Sequence, residues 1–470
     1  MVDGETTDTE LAIIGAGPGG YVAAIRAAQH DLDVTLVEKG DVGGTCLNTG
    51  CIPSKAYITA TDIAHEASNA ELLGISANPE VDLETMTEWK DGVVDQLTGG
   101  VENLCRANGV DLVEGTARFV DDHTLSVGGS DDIETINFET AIVATGSRPI
   151  EIPGFSYVDE PVWSSTDALA ATEIPDRLVV VGGGYIGMEL STVYAKLGTE
   201  VTIVEMLDDI LPQYDDDITK IVRSRAEELG IEFNFGEGAS DWHETDDGIV
   251  VESETEDGET SAYEADNVLV AVGRAPVTDT LDLDNAGIEP TDRGTIETDD
   301  RMRTAADHIF AIGDVAGDPM LAHAASKEGI VAAEVAAGEP AAMDVQAIPA
   351  AVFTDPEVGT VGMTAAEAEE AGFEPVVGEM PFRASGRALT TGHTDGFVEI
   401  VADAETGFVL GGRIVGPEAS ELVAEVTLAI ELGATLEDVA STVHTHPTLA
   451  EAVMEAAENA AGQAIHTMNS

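Results

Sequence analysis

The 470-residue chain sets 90 Asp and Glu against 20 Lys and Arg, a formal net charge of −70. That charge repels nucleic acid and anionic membrane surfaces and excludes both as partners. Hydrophobic residues at 43% supply packed interiors, the length predicts several domains because single cores rarely outgrow ~250–300 residues, and no apolar run is long enough to cross a bilayer.

In chain order, the acidic residues 1–10 lack the basic-then-apolar pattern of a secretory leader, and the expected location is the cytoplasm. A strand is predicted over 10–14, a helix over 20–29 and a second strand over 34–38. Between the first two runs Gly15-Ala16-Gly17-Pro18-Gly19-Gly20. Gly15 permits a tight turn, Gly17 lets the backbone approach a pyrophosphate, and Gly20 permits close helix packing. The pyrophosphate would rest on the helix N-terminus, where free N–H groups favour negative charge. Glu38 ends the next strand and is placed to accept hydrogen bonds from a ribose.

Cys46 and Cys51 follow, in Gly43-Gly44-Thr45-Cys46-Leu47-Asn48-Thr49-Gly50-Cys51-Ile52-Pro53-Ser54-Lys55. A thiol pair beside a bound cofactor can pass two electrons between that cofactor and a sulfur substrate. Five residues along a regular helix rotate a side chain by ~140°, so a bond between the two needs an irregular backbone, which Gly50 permits. Pro53 fits a first helical turn, and a helix starting there lowers a thiolate's pKa. Two buried free thiols are the structural alternative. A zinc site is disfavoured, because His444-Thr445-His446 lacks the usual spacing of a second ligand pair. Three cysteines in all are too few for a secreted disulfide framework.

Helices are predicted over 54–70 and 83–107. Cys105, in the second, reads as a packed apolar residue. Residues 121–139 are polar and turn-rich, a predicted meander. From 177 the opening pattern returns: a strand over 178–181, Gly182-Gly183-Gly184-Tyr185-Ile186-Gly187, a helix over 188–197 and a strand over 201–205. Gly182, Gly184 and Gly187 repeat the three glycine roles. Glu205 follows Gly182 by the same 23 residues that separate Glu38 from Gly15. The echo predicts two dinucleotide-binding domains. A carboxylate at Glu205, with no Arg in Met206-Leu207-Asp208-Asp209, favours NAD over NADP.

The part from about 345 lacks a phosphate-binding turn. It has strand candidates at 396–402 and 408–415 and helices at 420–432 and 449–461, and it reads as serving packing, substrate access or subunit contact. Near the end stands His444-Thr445-His446-Pro447-Thr448-Leu449-Ala450-Glu451. Thiol chemistry needs a base titrating near neutrality, which His446 supplies, and Pro447 keeps it out of helical geometry. Glu451 is either the group that orients His446 or the far end of a T-x-x-E capping box from Thr448. His444 reads as a strand-end residue, and His323 receives no role. The acids are spread along the whole chain, as in proteins of extreme halophiles, where molar salt shortens the screening length to ~3 Å.

From Leu11 to Ala461 the sequence resembles the flavin-dependent pyridine nucleotide–disulfide oxidoreductases. The resemblance rests on the cysteine run, on Ala144-Thr145-Gly146-Ser147-Arg148-Pro149, on Ala271-Val272-Gly273-Arg274 with Pro276, on Ile309-Phe310-Ala311-Ile312-Gly313-Asp314-Val315 and on the His446 block. It implies an α/β fold: two Rossmann-like dinucleotide-binding domains, for FAD and NAD, and a C-terminal α+β dimerisation domain. The expected boundaries are 1–150 for the FAD domain, 151–275 for the NAD domain, 276–344 completing the FAD domain, and 345–470 for the interface.

The resemblance further implies that Gly15, Gly17, Gly20, Glu38, Lys55, Gly115, Thr145, Gly146, Asp314 and Ala322 serve FAD. Gly182, Gly184, Gly187, Glu205 and Gly273 would serve NAD. Cys46 would exchange with substrate, Cys51 would face the flavin, and His446, with Glu451 behind it and a cis peptide to Pro447, would come from the other subunit of a homodimer. The implied reaction is NAD-dependent oxidation of dihydrolipoyl groups on a protein of a 2-oxo acid dehydrogenase or glycine-cleavage system, with no metal. Alternatives are an NAD(P)H-dependent reductase of a small disulfide and a non-catalytic flavin-binding subunit. Relatives carry a basic residue where this chain has Ala324.

Overall fold

The computed structural model describes residues 5–130 and 133–469. The chain divides into two compact units, Met1–Ile174 with Leu269–Asp344, and Pro175–Val268 with Val345–Ser470.

The first unit opens with β1 (Glu5–Ile14), α1 (Pro18–Gln29), β2 (Val34–Glu38), α2 (Gly44–Asn48), α3 (Cys51–Ser68) and α4 (Leu83–Ala107). β3 (Asp111–Glu114), β4 (Thr116–Asp121), β5 (Thr124–Gly128) and β6 (Ile133–Val143) follow. The strand order is β3-β2-β1-β6-β5-β4, with Ile309–Ala311 also joined to β6. β3, β2, β1, β6 and Ile309–Ala311 run parallel, whereas β5 and β4 form the expected antiparallel meander. β2 is buried along Val34–Val37, as a parallel strand covered on both faces must be. One face packs on α1 and α4, with Cys105 fully buried beside Ala23, Leu36 and Val101. The other buries Phe119, Leu125, Ile136 and Leu281.

Three elements of this unit start earlier than the sequence reading has them. β1 starts at Glu5, because the polar, Thr-rich residues before the apolar run pair in register with β6. α1 starts at Pro18, which fills a first-turn position whose N–H has no helical acceptor. α3 starts at Cys51, directly after the break at Gly50.

In the second unit Arg177–Val181, Glu200–Glu205 and Glu232–Phe235 pair in parallel, with helix Tyr185–Lys196 after the first. An antiparallel meander of Glu237–Thr245, Gly248–Thr255 and Thr260–Ala265 follows. The C-terminal part is a five-stranded antiparallel sheet in the order Ala350–Val352, Glu357–Gly362, Val409–Gly416, Phe397–Asp403, Pro375–Pro381. Helices Ala419–Glu431, Leu436–Ser441 and Glu451–Ala460 pack on it through Val423, Val426, Val453 and Ala456. Scarce cations stitch this unit together. Lys196 Nζ meets Asp355 at 2.8 Å, and Arg413 bonds Glu399 through two nitrogens at 2.7 Å each.

Candidate functional site

In an open α/β sheet, ligands bind outside the carboxyl ends of the strands. In the first unit β1 leads into Gly15–Gly20, β6 into Ala144-Thr145-Gly146, and Ile309–Ala311 into Ile312-Gly313-Asp314. Since the three strands are adjacent and parallel, the three turns lie at one edge. Gly15 has φ +101°, and a Cβ there would overlap the Ala144 carbonyl. A Cβ on Gly20 would overlap the Gly15 carbonyl, and one on Gly329 would stand 2.5 Å from the Gly19 oxygen, so helix Ala322–Ala336 rides close on α1.

Around Gly17 the space is open: a Cβ there meets nothing within 4 Å. Gly17 caps α1 with no side-chain hydrogen bond, and the first turn carries no acid. In a chain so rich in carboxylates, an uncapped helix start with room in front of it fits the pyrophosphate of FAD. Glu38 braces the turn, accepting from Ala16 N–H at 2.7 Å and Gly40 N–H at 2.9 Å. Its own carbonyl accepts from Gly115 N–H at 2.8 Å, with Gly115 at φ +156°.

Thr145 Oγ1 donates to the Val277 carbonyl at 2.6 Å, and the Gly146 carbonyl accepts from Val277 N–H at 2.9 Å. Strands Ser147–Pro149 and Arg274–Pro276 pair antiparallel. Arg274 donates to Ser147 Oγ and to its carbonyl, both at 2.7 Å, and Ser147 Oγ donates to Asp314 Oδ2. Ser147, itself held by Arg274 from another motif, therefore orients the Asp314 carboxylate of a third. Gly273 sits at φ +125° beside them. Ala322 begins the helix after Asp314, and Ala324 is buried at its start.

The sequence reading gave no role to Ser147, Arg274 or Glu328. Glu328 Oε2 accepts Gly313 N–H at 2.6 Å. Burial pushes its carboxyl above the usual range; the Gly313 N–H opposes this and the Asp314 charge adds to it.

The two cysteines lie on either side of a helix break. Cys46 is in α2, Cys51 opens α3, and Gly50 between them adopts φ −138°, ψ −110°. Asn48 Nδ2 ties the loop by donating to the Gly44 carbonyl at 3.0 Å and the Val42 carbonyl at 3.2 Å. Both cysteines are in the thiol form, with Cys46 half-buried and Cys51 exposed. A hydrogen bond with Cys51 raises the Cys46 thiol pKa most. Burial and the Cys51 charge raise it further, Lys55 opposes, and Asp314 adds a smaller rise. Lys55 and Asp314 thus lie within electrostatic reach of Cys46. Cys105 is not among the groups that shift the Cys46 thiol, and burial pushes its own thiol up to about 11.

The second glycine turn copies the first. A Cβ on Gly187 would overlap the Gly182 carbonyl, Gly184 has nothing within 4 Å, and Gly182 has positive φ. The helix beginning at Tyr185 has no side-chain cap and no acid in its first turn, so this turn fits the pyrophosphate of NAD. Glu205 accepts from Gly183 N–H at 2.6 Å and Leu207 N–H at 2.8 Å.

His446 Nδ1 and Glu451 Oε1 are 2.9 Å apart. Glu451 Oε2 accepts Thr448 N–H at 2.8 Å. Only that half of the capping box forms: Thr448 Oγ1 donates to the Thr445 carbonyl, the helix starts at Glu451, and its N-cap is Ala450. The His446–Pro447 peptide is cis. His444 is in a loop instead of at a strand end, buried against Glu425 with Nε2 2.7 Å from Oε1. His323 is exposed near the start of Ala322–Ala336.

Residues 9–329 match the family model of pyridine nucleotide-disulphide oxidoreductases, and residues 348–457 match that family's dimerisation domain. A dihydrolipoyl dehydrogenase of Haloferax volcanii is 70% identical, and one of Halobacterium salinarum 67% identical, each alignment covering 100% of both chains. The crystal structure of LpdA from Mycobacterium tuberculosis superposes with a TM-score of 0.89 at 28% identity, covering 96% of this chain and 99% of that one.

Proposed function

We propose a dihydrolipoyl dehydrogenase activity for this chain, which belongs to the pyridine nucleotide-disulphide oxidoreductase family: an NAD-dependent oxidation of protein-bound dihydrolipoyl groups through FAD and the Cys46–Cys51 pair. The observation that carries it is the hydrogen bond of the two thiols across the Gly50 break, with Lys55 and Asp314 in electrostatic reach of Cys46. The family's enzymes use FAD and NAD, and the dimerisation domain makes the chain a homodimer.

Gly15, Gly17, Gly20, Glu38, Gly115, Thr145, Gly146, Asp314 and Ala322 hold FAD, with Lys55 next to the dithiol. Gly182, Gly184, Gly187 and Glu205 hold NAD, with Gly273 on the NAD side. The boundaries read from the sequence serve this division: 1–150 and 276–344 for FAD, 151–275 for NAD, 345–470 for the interface. When bound, FAD supplies the two-electron relay from the reduced cysteine pair to NAD.

His446 serves the dithiol of the other subunit. Its Nδ1–H donates to Glu451, which leaves Nε2 free to accept a proton, and its side chain is 79% exposed in the single chain. Nε2 takes the proton of one substrate thiol. That thiolate attacks Cys46 Sγ of the oxidised pair, forming a mixed disulfide while the electron pair of the broken bond leaves on Cys51. The second substrate thiol attacks the substrate sulfur of the mixed disulfide, closing the cyclic disulfide and releasing Cys46, which takes that thiol's proton. Its raised pKa suits it to hold the proton while Cys51 keeps the charge.

No helix among the described residues is long and apolar enough to cross a membrane, and we place the enzyme in the cytoplasm with a lipoyl-bearing protein of a 2-oxo acid dehydrogenase or glycine-cleavage system as partner. The test is a two-by-two assay at molar KCl: NAD with dihydrolipoamide against NADPH with small disulfides. Turnover only in the first is expected, lost in Cys46→Ser with flavin retained. Turnover only in the second overturns the proposal.

A further inference from the structure

Acids are so dense along this chain, 90 in 470 residues, that a long stretch without one carries information. The three longest such stretches are 11–30, 42–61 and 380–394. The first spans the glycine turn with α1, and the second spans Cys46, Cys51 and Lys55. The third holds none of the residues assigned to the nucleotide turns or the dithiol. It connects the neighbouring antiparallel strands Pro375–Pro381 and Phe397–Asp403 through a 3-10 turn at Phe382–Ala384 and a short helix at Gly386–Thr391.

Its underside is anchored. Phe382 and Ala388 are fully buried, a Cβ on Gly416 would overlap the Phe382 ring, and Ser385 Oγ accepts Ala388 N–H at 3.4 Å. In the single chain Arg383 and Arg387 are exposed on its outer side, with Leu389 62% exposed beside them. Four other arginines are exposed among the described residues, and each has a carboxylate: Arg106 with Glu102, Arg118 with Asp282, Arg148 with Asp279 and Arg293 with Asp318. Among the described residues, neither Arg383 nor Arg387 forms an ion pair; the Arg383 charge is felt by the Glu379 carboxyl only at longer range, and Arg387 Nη1 donates to Thr390 Oγ1 at 3.5 Å.

In molar salt, charges beyond ~3 Å scarcely feel one another, so two guanidiniums without a contact ion pair do not serve long-range steering. At contact, a planar guanidinium still bonds a carboxylate through paired N–H groups. We infer that Arg383 and Arg387, with Leu389, are the docking surface for the acidic protein that carries the dihydrolipoyl group, its surface carboxylates completing the two guanidiniums. Arginine beside an exposed aliphatic side chain is the make-up of a protein interface, and the chain's net charge turns away a nucleic acid. The inference rests on the proposed dihydrolipoyl activity and assigns the partner's contact surface.

The test compares Arg383→Glu/Arg387→Glu with the wild-type holoenzyme at molar KCl on three reduced substrates: free dihydrolipoamide, a lipoylated domain of net negative charge, and that domain with its carboxylates amidated. The KM for the acidic domain should rise about tenfold or more in the variant, with free dihydrolipoamide unchanged. The amidated domain should show a raised KM with the wild type and no further loss with the variant. Leu389→Asp, which leaves both arginines, should weaken the acidic domain alone. An unchanged KM for the acidic domain, an equal loss on free dihydrolipoamide, or displacement of the domain by RNA overturns the inference. A wild-type enzyme that oxidises neither form of substrate overturns the activity reading and this inference with it.

Discussion

Glu451 holds His446 with one carboxylate oxygen and Thr448 N–H with the other, at 2.9 and 2.8 Å. The same acid therefore fixes the imidazole tautomer and closes the turn from which the imidazole projects. Burial alone would raise the Glu451 carboxyl, but the Thr448 N–H and His446 outweigh it and hold it below the ordinary value.

Glu451→Ala should lower turnover of dihydrolipoamide on the order of a hundredfold and leave bound flavin in place. Because the folded carboxyl is held below its unfolded value, its support for the fold is present above the ordinary Glu pKa and lost as pH falls through the depressed one. The wild-type melting temperature should therefore exceed the variant's at neutral pH, and the difference should shrink toward pH ~4. Steady-state kinetics with melting curves at several pH values check both.

Glu205→Ala removes the acceptor shared by Gly183 and Leu207 N–H. The KM for NAD should rise about tenfold, while that for NADP, no longer facing a carboxylate, rises less or falls. An unaltered NAD/NADP ratio in initial-rate assays would show that this acid plays no part in choosing the nucleotide.

At Glu328, burial first and Asp314 second raise the carboxyl, with Gly313 N–H opposing. A raised folded pKa gives support that is full below the ordinary Glu value and is lost as pH rises through the raised one. Glu328→Gln keeps an acceptor for Gly313 and no charge, so the variant should melt higher than the wild type around pH 8, with the gap closing near pH 4. A lower melting temperature for the variant at every pH would mean that the charge itself is needed.

A chain of net charge −70 repels itself. Melting temperature should climb as KCl rises from ~0.1 M to molar concentrations, where the screening length falls from ~10 to ~3 Å. Equal melting points at the two extremes would separate this composition from salt dependence.

Much of the site was legible because its parts are local. A phosphate cradled by backbone N–H groups demands glycines at fixed offsets, so Gly15, Gly17, Gly20 and their counterparts Gly182, Gly184 and Gly187 declare themselves in six-residue windows. The dithiol pair and the break at Gly50 fall within another short run, and the helix at 83–107 followed from its apolar spacing alone. What the linear pattern did not contain is who meets whom across the fold. Arg274, Ser147 and Asp314 converge only because two short strands pair and Ile309–Ala311 lies beside β6, and Glu328 reaches Gly313 only because its helix turns back over that loop. The choice between a capping role and an orienting role for Glu451 rested on where the helix begins, and a start at Glu451 instead of Leu449 left the acid free to serve both His446 and Thr448. Motif residues are dictated by the ligand they must fit, and those dictates are written in sequence. The partners that aim them are set by strand order, which no single stretch of sequence encodes.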